Sequence, residues 1–422
     1  MPELGARVAA ALARRAERGL LRDRDERLLD GAPGPRVSVR GRELWNFASN
    51  GYLGLSTHPR VLAALQEEAA RTGSSATASR LVGGNLRAVA ELEGALARLK
   101  GKEAALVFSS GYAANVGVLG ALGIALEDAA LEDAALEDAA STALAPCFVS
   151  DALNHASLID GCRLSGAQVH VYPHGDARAA ASLLERARAE GRRVLLLTES
   201  RFSMDGDVAP LAELAAACRA TGAALVVDEA HATGVDGEGR GLVHALGLTE
   251  QVDVVVGTLG KALGAHGAFV AASSEVVRWL ENSARSFVYS TGLPAPLAAA
   301  ASAALRILDE ERTHERLQDT IGAMRALLAE RALEDTVAPA ASGPILPVLV
   351  GSPERALALS ELLLDHGALG VAIRPPTVPE GSARVRLSLR ADHPPEALRA
   401  LADALLQARR RGLLPASSQR AA

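Results

Sequence analysis

The stretch Val252-Asp253-Val254-Val255-Val256-Gly257-Thr258-Leu259-Gly260-Lys261-Ala262-Leu263-Gly264 runs from a β-branched apolar segment straight into a glycine-rich loop that carries a lysine. Lysine and arginine together number 44, yet only Lys100, Lys102 and Lys261 are lysines. Where a positive charge suffices, this chain uses arginine. A lysine offers what arginine cannot, an amine that loses its proton and acts as a nucleophile. A plain surface-loop lysine is the bland alternative, and the rest of the sequence must decide.

Working outward, short apolar runs recur at 104–108, 147–150, 168–172, 194–198, 224–228, 252–256 and 268–272. Most are separated by amphipathic stretches such as 112–122, 176–190 and 210–221. Continuous apolar strands alternating with helices predict an α/β fold on a mostly parallel seven-stranded sheet buried on both faces. Only the segment 257–267, with four glycines, joins the last two runs. That is short for a parallel crossover, so one antiparallel strand is expected there.

Toward the N-terminus the pattern predicts a helix over 4–30 and a hairpin over 36–39 and 43–47. Beyond about 294, an alanine-rich helix leads into strands near 345–350, 372–374 and 384–389. The expected division is an N-terminal segment 1–48, a large domain 49–293, a smaller C-terminal α+β domain 294–411 and a disordered tail 412–422. Residues 126–140 are three copies of Leu-Glu-Asp-Ala-Ala. Successive leucines there fall about 140° apart on a helix, so no apolar stripe forms. The reading is an exposed insertion over about 125–141.

Composition narrows the function classes. Hydrophobic residues make up 49% and the net charge is −6 with dispersed arginines, which gives no nucleic-acid or membrane-surface footprint. Cys147, Cys162 and Cys218 have neither CxxC spacing nor a disulfide framework, which suits a reducing cytoplasm. The arginine-rich start lacks the apolar core of a signal peptide, and no run of ~18 apolar residues predicts a membrane span.

In an open α/β sheet, ligands sit outside the carboxyl ends of the strands. Those ends carry Gly111 and Tyr112 in a small-residue turn, Asn154-His155, Glu199-Ser200-Arg201-Phe202-Ser203, Asp228-Glu229-Ala230-His231, and Thr258 with Lys261. Singly each is weak: a histidine is often structural, and Asp228-Glu229 suits a metal or a helix cap. Together they suit pyridoxal 5'-phosphate. That cofactor needs a lysine for a Schiff base, an acid beside the pyridine nitrogen and an anion site for its phosphate. Neither a G-x-G-x-x-G after the first strand nor a P-loop is present, which disfavours a nicotinamide dehydrogenase and an NTPase.

Five stretches in this order carry a resemblance: Ser49-Asn50-Gly51-Tyr52-Leu53-Gly54-Leu55, Asn154-His155-Ala156-Ser157, Ser203-Met204-Asp205-Gly206-Asp207, Asp228-Glu229-Ala230-His231-Ala232-Thr233-Gly234 and Thr258-Leu259-Gly260-Lys261. The chain resembles the α-oxoamine synthases, fold-type I pyridoxal-phosphate enzymes, from about Leu44 to Leu405. The resemblance implies condensation of an amino acid with an acyl-CoA, with loss of carbon dioxide and CoA. It implies Lys261 as the Schiff-base lysine, Asp228 on the pyridinium nitrogen, His231 on the ring hydroxyl side and His155 stacked on the ring. It implies cofactor contacts from Ser203, Gly111, Tyr112 and Thr258. Ser290 and Thr291 would reach the phosphate of a neighbouring subunit, making the homodimer obligatory. Asn50 and Arg374 would grip the substrate carboxylate.

Ile373-Arg374-Pro375-Pro376-Thr377-Val378-Pro379 is similar to the biotin-pathway branch of that family, which joins L-alanine to a pimeloyl thioester on CoA or acyl-carrier protein. That branch implies substrate contacts from Thr377 and from an arginine of the first helix, Arg22 or the nearby Arg24. A glycine- or serine-using sister is the alternative, and a catalytically silent scaffold the remote one. Ala76 and Thr77 stand where the family has glycines, which leaves the exact substrate open. The acidic repeat has no counterpart in the family.

Overall fold

A computed structural model describes residues 3–22, 24, 25, 28–136 and 144–414. The chain forms two compact units. The larger comprises His58–Ser203 and Asp207–Glu315. The smaller comprises Met1–Thr57, Met204–Gly206 and Arg316–Ala422.

The larger unit is built on seven strands: β1 (Ala104–Phe108), β2 (Cys147–Asp151), β3 (Gln168–Tyr172), β4 (Val194–Glu199), β5 (Ala224–Asp228), β6 (Val254–Thr258) and β7 (Ala268–Ala272). Their order is β1-β7-β6-β5-β4-β2-β3. β7 lies antiparallel to both β1 and β6, and β2 to β6 pair in parallel, as the short glycine-rich connection required. Alternate residues feed two separate cores. Phe148, Leu195, Val226 and Val256 pack on one face, while Val149, Leu196, Val227 and Val255 pack on the other. Burial on both sides explains why the strands read as unbroken apolar runs. β6 continues two residues past the apolar run. A Cβ at Gly257 would come within 2.3 Å of the Phe269 ring, so only glycine lets these two strands lie together there.

The boundary between units departs from the expected one. The helix Ala295–Glu310 belongs to the larger unit and packs on the helices Pro59–Thr72 and Arg87–Lys100. Its small residues Ala298, Ala301 and Ala304 are fully buried and permit close helix approach. The N-terminal segment is no independent unit either. The strand Arg42–Asn46 pairs with Arg36–Val39 as expected, and also in parallel with Ala368–Leu369 from the C-terminal part. A three-stranded antiparallel sheet of Ile345–Gly351, Ala383–Ser388 and Val371–Ile373 completes the smaller unit.

The first helix is shorter than its pattern suggested and spans Leu4–Glu17. Gly19 takes φ +63°, its N–H donates to Ala16 O and that of Leu20 to Arg15 O. That closing turn ends the helix, so Arg22 lies beyond it. The helix Gly111–Leu136 continues into the acidic repeat, where Glu127 and Asp128 are exposed. The rest of the repeat through 143 lies outside the described residues or side chains, as does the expected tail from 415 onward. Among the described residues no helix is long and apolar enough to cross a membrane. The three cysteines are buried and unpaired.

Candidate active site

The carboxyl ends of β1, β2, β4, β5 and β6 frame a cavity of about 190 Å³. Gly111, Tyr112, His155, Asp228, His231, Thr258 and Lys261 all line it, as do Asn115, Ser157 and Glu199, to which the sequence had assigned no role.

Lys261 is held in place by its loop. Leu259, Ala262 and Leu263 are buried, the Gly264 N–H donates to Lys261 O, and Gly264 takes φ +62°. The Thr258 hydroxyl donates to Gly267 O and accepts from the Gly260 N–H, closing the turn from the other side. With its neighbours anchored, the Lys261 side chain reaches the cavity, where Nζ lies 2.8 Å from His231 Nε2. His231 is itself buried, so it orients the amine within the cavity.

Asp228 ends β5 with both oxygens engaged. Oδ2 accepts from Asn115 Nδ2 at 2.7 Å, and Oδ1 accepts from the Ala230 N–H at 2.8 Å. Asn115 sits one turn into the helix Gly111–Leu136 and also donates to Ser157 Oγ at 2.9 Å. Ser157 in turn lies 2.7 Å from His155 Nδ1. A single hydrogen-bonded chain therefore runs His155–Ser157–Asn115–Asp228. His155 caps the helix Ala156–Leu164 through that same Nδ1, which accepts from the Ser157 N–H. Although His155 is exposed at the mouth, desolvation lowers its pKa. Asp228 opposes that shift, and Lys261 adds to it.

The segment Asp228–His231 is tied down from behind. Lys100 Nζ donates to Glu229 Oε2 at 2.7 Å, Thr233 Oγ1 at 2.8 Å and Arg240 O at 2.6 Å. Three acceptors match the three donors of an ammonium, which a planar guanidinium does not reproduce. The pair is almost wholly buried, with side chains 2% and 0% exposed. Lys102 likewise donates to Thr249 O and Val252 O, at the approach to β6.

The start of the helix Gly111–Leu136 has the geometry that suits an anion. First-turn N–H groups have no partner inside a helix. Ser110 Oγ accepts from that of Ala113, which leaves the N–H groups of Gly111 and Tyr112 beside the cavity. The cavity thus offers an amine, a carboxylate, an imidazole at the mouth and an anion site. Those groups fit pyridoxal phosphate.

Other expected residues fall elsewhere. Ser203 does not line the cavity, although its backbone N–H acts on Glu199. Ser290 and Thr291 do not line it either. Thr291 is exposed and bridges to Ser79, next to the exposed Tyr289. In the smaller unit, Arg22 Nη2 donates to Thr377 Oγ1 at 2.8 Å, which favours Arg22 over Arg24 as the partner of Thr377. Arg374 donates to Gly19 O and Leu21 O, so those three expected substrate residues gather in one place. Asn50 Oδ1 accepts from Arg386 Nη1 at 2.8 Å and from the Tyr52 hydroxyl at 3.2 Å. Thr77 takes φ +58°, a left-handed conformation that glycine adopts without strain, and its side chain is exposed.

The sequence matches the family described as aminotransferase class I and II over residues 42–405. The chain belongs to the class I and II aminotransferase family. Within this family it is 49% identical over 366 residues to an 8-amino-7-oxononanoate synthase of Anaeromyxobacter dehalogenans, covering 86% of this chain and 85% of that one. It is 45% identical over 407 residues to the Alcanivorax borkumensis 8-amino-7-oxononanoate synthase, covering 96% and 98%. Among solved structures, a serine palmitoyltransferase variant from S. paucimobilis with a bound PLP–myriocin aldimine superposes with a TM-score of 0.86 at 27% identity, covering 98% and 100%. An 8-amino-7-oxononanoate synthase from Francisella tularensis superposes with a TM-score of 0.69 at 23% identity, covering 88% and 99%, a likeness of fold alone. The class I and II aminotransferase fold therefore extends over nearly the whole chain.

Proposed function

We propose that the chain is a pyridoxal-phosphate-dependent acyltransferase. It joins L-alanine to a pimeloyl thioester, giving 8-amino-7-oxononanoate, carbon dioxide and the free thiol carrier, the carbon–carbon bond-forming step of biotin biosynthesis. The observation that carries this reading is the 45% identity to an 8-amino-7-oxononanoate synthase over 96% of the chain. The cavity that brings Lys261, His231, Asp228 and His155 together supports it.

Bound pyridoxal phosphate supplies an electron sink for the pair released at the amino-acid α-carbon. Lys261 Nζ would hold the cofactor through its aldehyde carbon, and its free amine would take the proton that leaves the alanine α-carbon and later return one. His231 accepts a hydrogen bond from Lys261 Nζ and keeps that amine aimed into the cavity. Asp228, fixed by Asn115 and the Ala230 N–H, would hold a proton on the ring nitrogen. His155 would cover the ring, and the Gly111 and Tyr112 N–H groups with Thr258 would take the phosphate. Ser203 adds a cofactor contact. Arg374 and Asn50 bind the substrate carboxylate, and Arg22 with Thr377 the far end of the acyl chain. The working assembly is a cytoplasmic homodimer in which Ser290 and Thr291 reach the phosphate site of a second copy. The buried, unpaired cysteines suit that compartment.

A sister synthase that uses serine is the second reading, favoured by the serine palmitoyltransferase superposition. Thiol release from pimeloyl-CoA, measured with alanine, glycine and serine side by side, separates the two. Alanine should give the fastest release. Preference for serine or glycine, or for a longer acyl-CoA, would replace the assignment.

A further inference from the structure

Glu199 is the buried acid that none of these roles uses. It ends β4 in register with Asp228 on β5 and lines the same cavity. Its residue is 4% exposed, and its Oε1 has no hydrogen-bond partner. Asp228 differs, since both of its oxygens accept hydrogen bonds. Two carboxyls side by side on a buried sheet edge do not both ionise cheaply, and the one left with an unengaged oxygen keeps its proton more readily. Burial, and after it the neighbouring Asp228, push the Glu199 pKa up to about 8. The Lys261 ammonium and the backbone N–H groups of His155 and Ser203 pull it the other way.

We propose that Glu199 is a positioning residue that works as a neutral carboxylic acid, donating its hydrogen bond to an oxygen of the ligand that fills the cavity. A protonated carboxyl with an unengaged oxygen needs an acceptor. Lys261 Nζ and Asn115 Nδ2 are donors, and both Asp228 oxygens already accept hydrogen bonds, while Asn115 Oδ1 is a buried acceptor that, like Glu199 Oε1, has no partner. A ligand in the cavity brings the stronger acceptor, an anionic oxygen of the phenolate class. The two acids divide the work: Asp228 is engaged through both oxygens, and Glu199 stays an acid. This inference rests on the reading that the cavity holds pyridoxal phosphate.

The test is the affinity of the cofactor-free full-length protein for pyridoxal 5'-phosphate, read by fluorescence quenching from pH 6.5 to 9.5. The parent should bind more weakly as pH rises through the range where Glu199 ionises. Glu199→Gln keeps a neutral donor, so its affinity at pH 7 should stay within about threefold of the parent while that part of the pH dependence disappears. Glu199→Leu has no donor and should lose about tenfold or more at pH 7. An infrared carboxylic-acid band present in the parent at pH 7, and absent from the Gln variant, is expected and needs no ligand. A Gln variant that weakens as much as the Leu variant, an unchanged pH profile, or a missing acid band would overturn the proposal. Failure of the parent to bind pyridoxal phosphate at any pH would instead overturn the reading of the cavity on which it rests.

Discussion

The cavity around Lys261 and the cluster of Arg22, Arg374 and Thr377 are assembled in opposite ways. Around Lys261, each group stands at the end of a strand or the start of a helix and is fixed by partners behind it, down to the buried Lys100–Glu229 pair. The arginine cluster sits on loops, and its members engage one another or nearby backbone carbonyls. The first arrangement is organised before any ligand arrives. To bind a ligand, the second would have to exchange its present partners. A rigid first arrangement suits groups that must meet a reacting atom, because misplacement there is expensive in rate. The exchangeable second one suits recognition of a variable chain.

Breaking the first region should have the largest effects. Lys261→Ala should lower turnover by ~100- to 10,000-fold, the usual share of a positioned acid–base group, and should remove the visible absorption of the loaded protein. Turnover near the parent value would show that the cavity is not where chemistry occurs.

Lys100→Met touches no ligand but strands the Glu229 carboxylate in a fully buried place. A loss of about 3–5 kcal/mol in urea unfolding is expected from such a broken buried pair. Lys100→Met with Glu229→Gln should recover part of it, since no buried charge is then left alone. Equal losses in the single and double variants would mean that the pair does not anchor the Asp228–His231 segment.

In the second region, Arg374→Ala should raise KM for alanine by roughly 10- to 100-fold, the worth of a lost hydrogen bond to a charged group, with a smaller change in kcat. An effect confined to kcat would move Arg374 from recognition into the first group.

A further effect concerns pH. His174 lies 2.9 Å from Asp151 and 2.8 Å from Asp207, and these two carboxylates raise its pKa to about 10 against the desolvation of its burial. Because the folded pKa is the higher one, the imidazolium's contribution is complete below the unfolded value of about 6.5 and fades as pH rises toward 10. His174→Gln should therefore flatten the fall in unfolding stability between pH 7 and pH 10. An unchanged slope would show that the carboxylates do not hold a charged His174.

How legible each region was follows from the same contrast. The seven strands could be read because burial on both faces keeps every residue of a strand apolar, so the chemical residue at each end stands out. Lys261 stood out because this chain rarely uses lysine. Lys100 gave no local sign of its role. Its partner Glu229 is 129 positions away in sequence, and no local pattern reveals such a pair. Asn115 and Ser157 were hidden for a similar reason. Their roles are to link His155 to Asp228 across separate elements. Glu199 did leave a signal, an acid closing an apolar strand just as Asp228 does. The first helix was drawn too long because its polar–apolar rhythm continues past Gly19, where the backbone turns left-handed. The unit boundary was misplaced because an alanine-rich helix carries little periodicity to say which core it joins.

The scarcity of lysine also makes the central claim open to direct test. Borohydride reduction of the protein loaded with pyridoxal phosphate fixes the cofactor to whichever amine holds it, and peptide mass spectrometry then locates the label. The account predicts one label per chain, on Lys261. A label on Lys100 or Lys102, or none on a protein that still turns over, would contradict it.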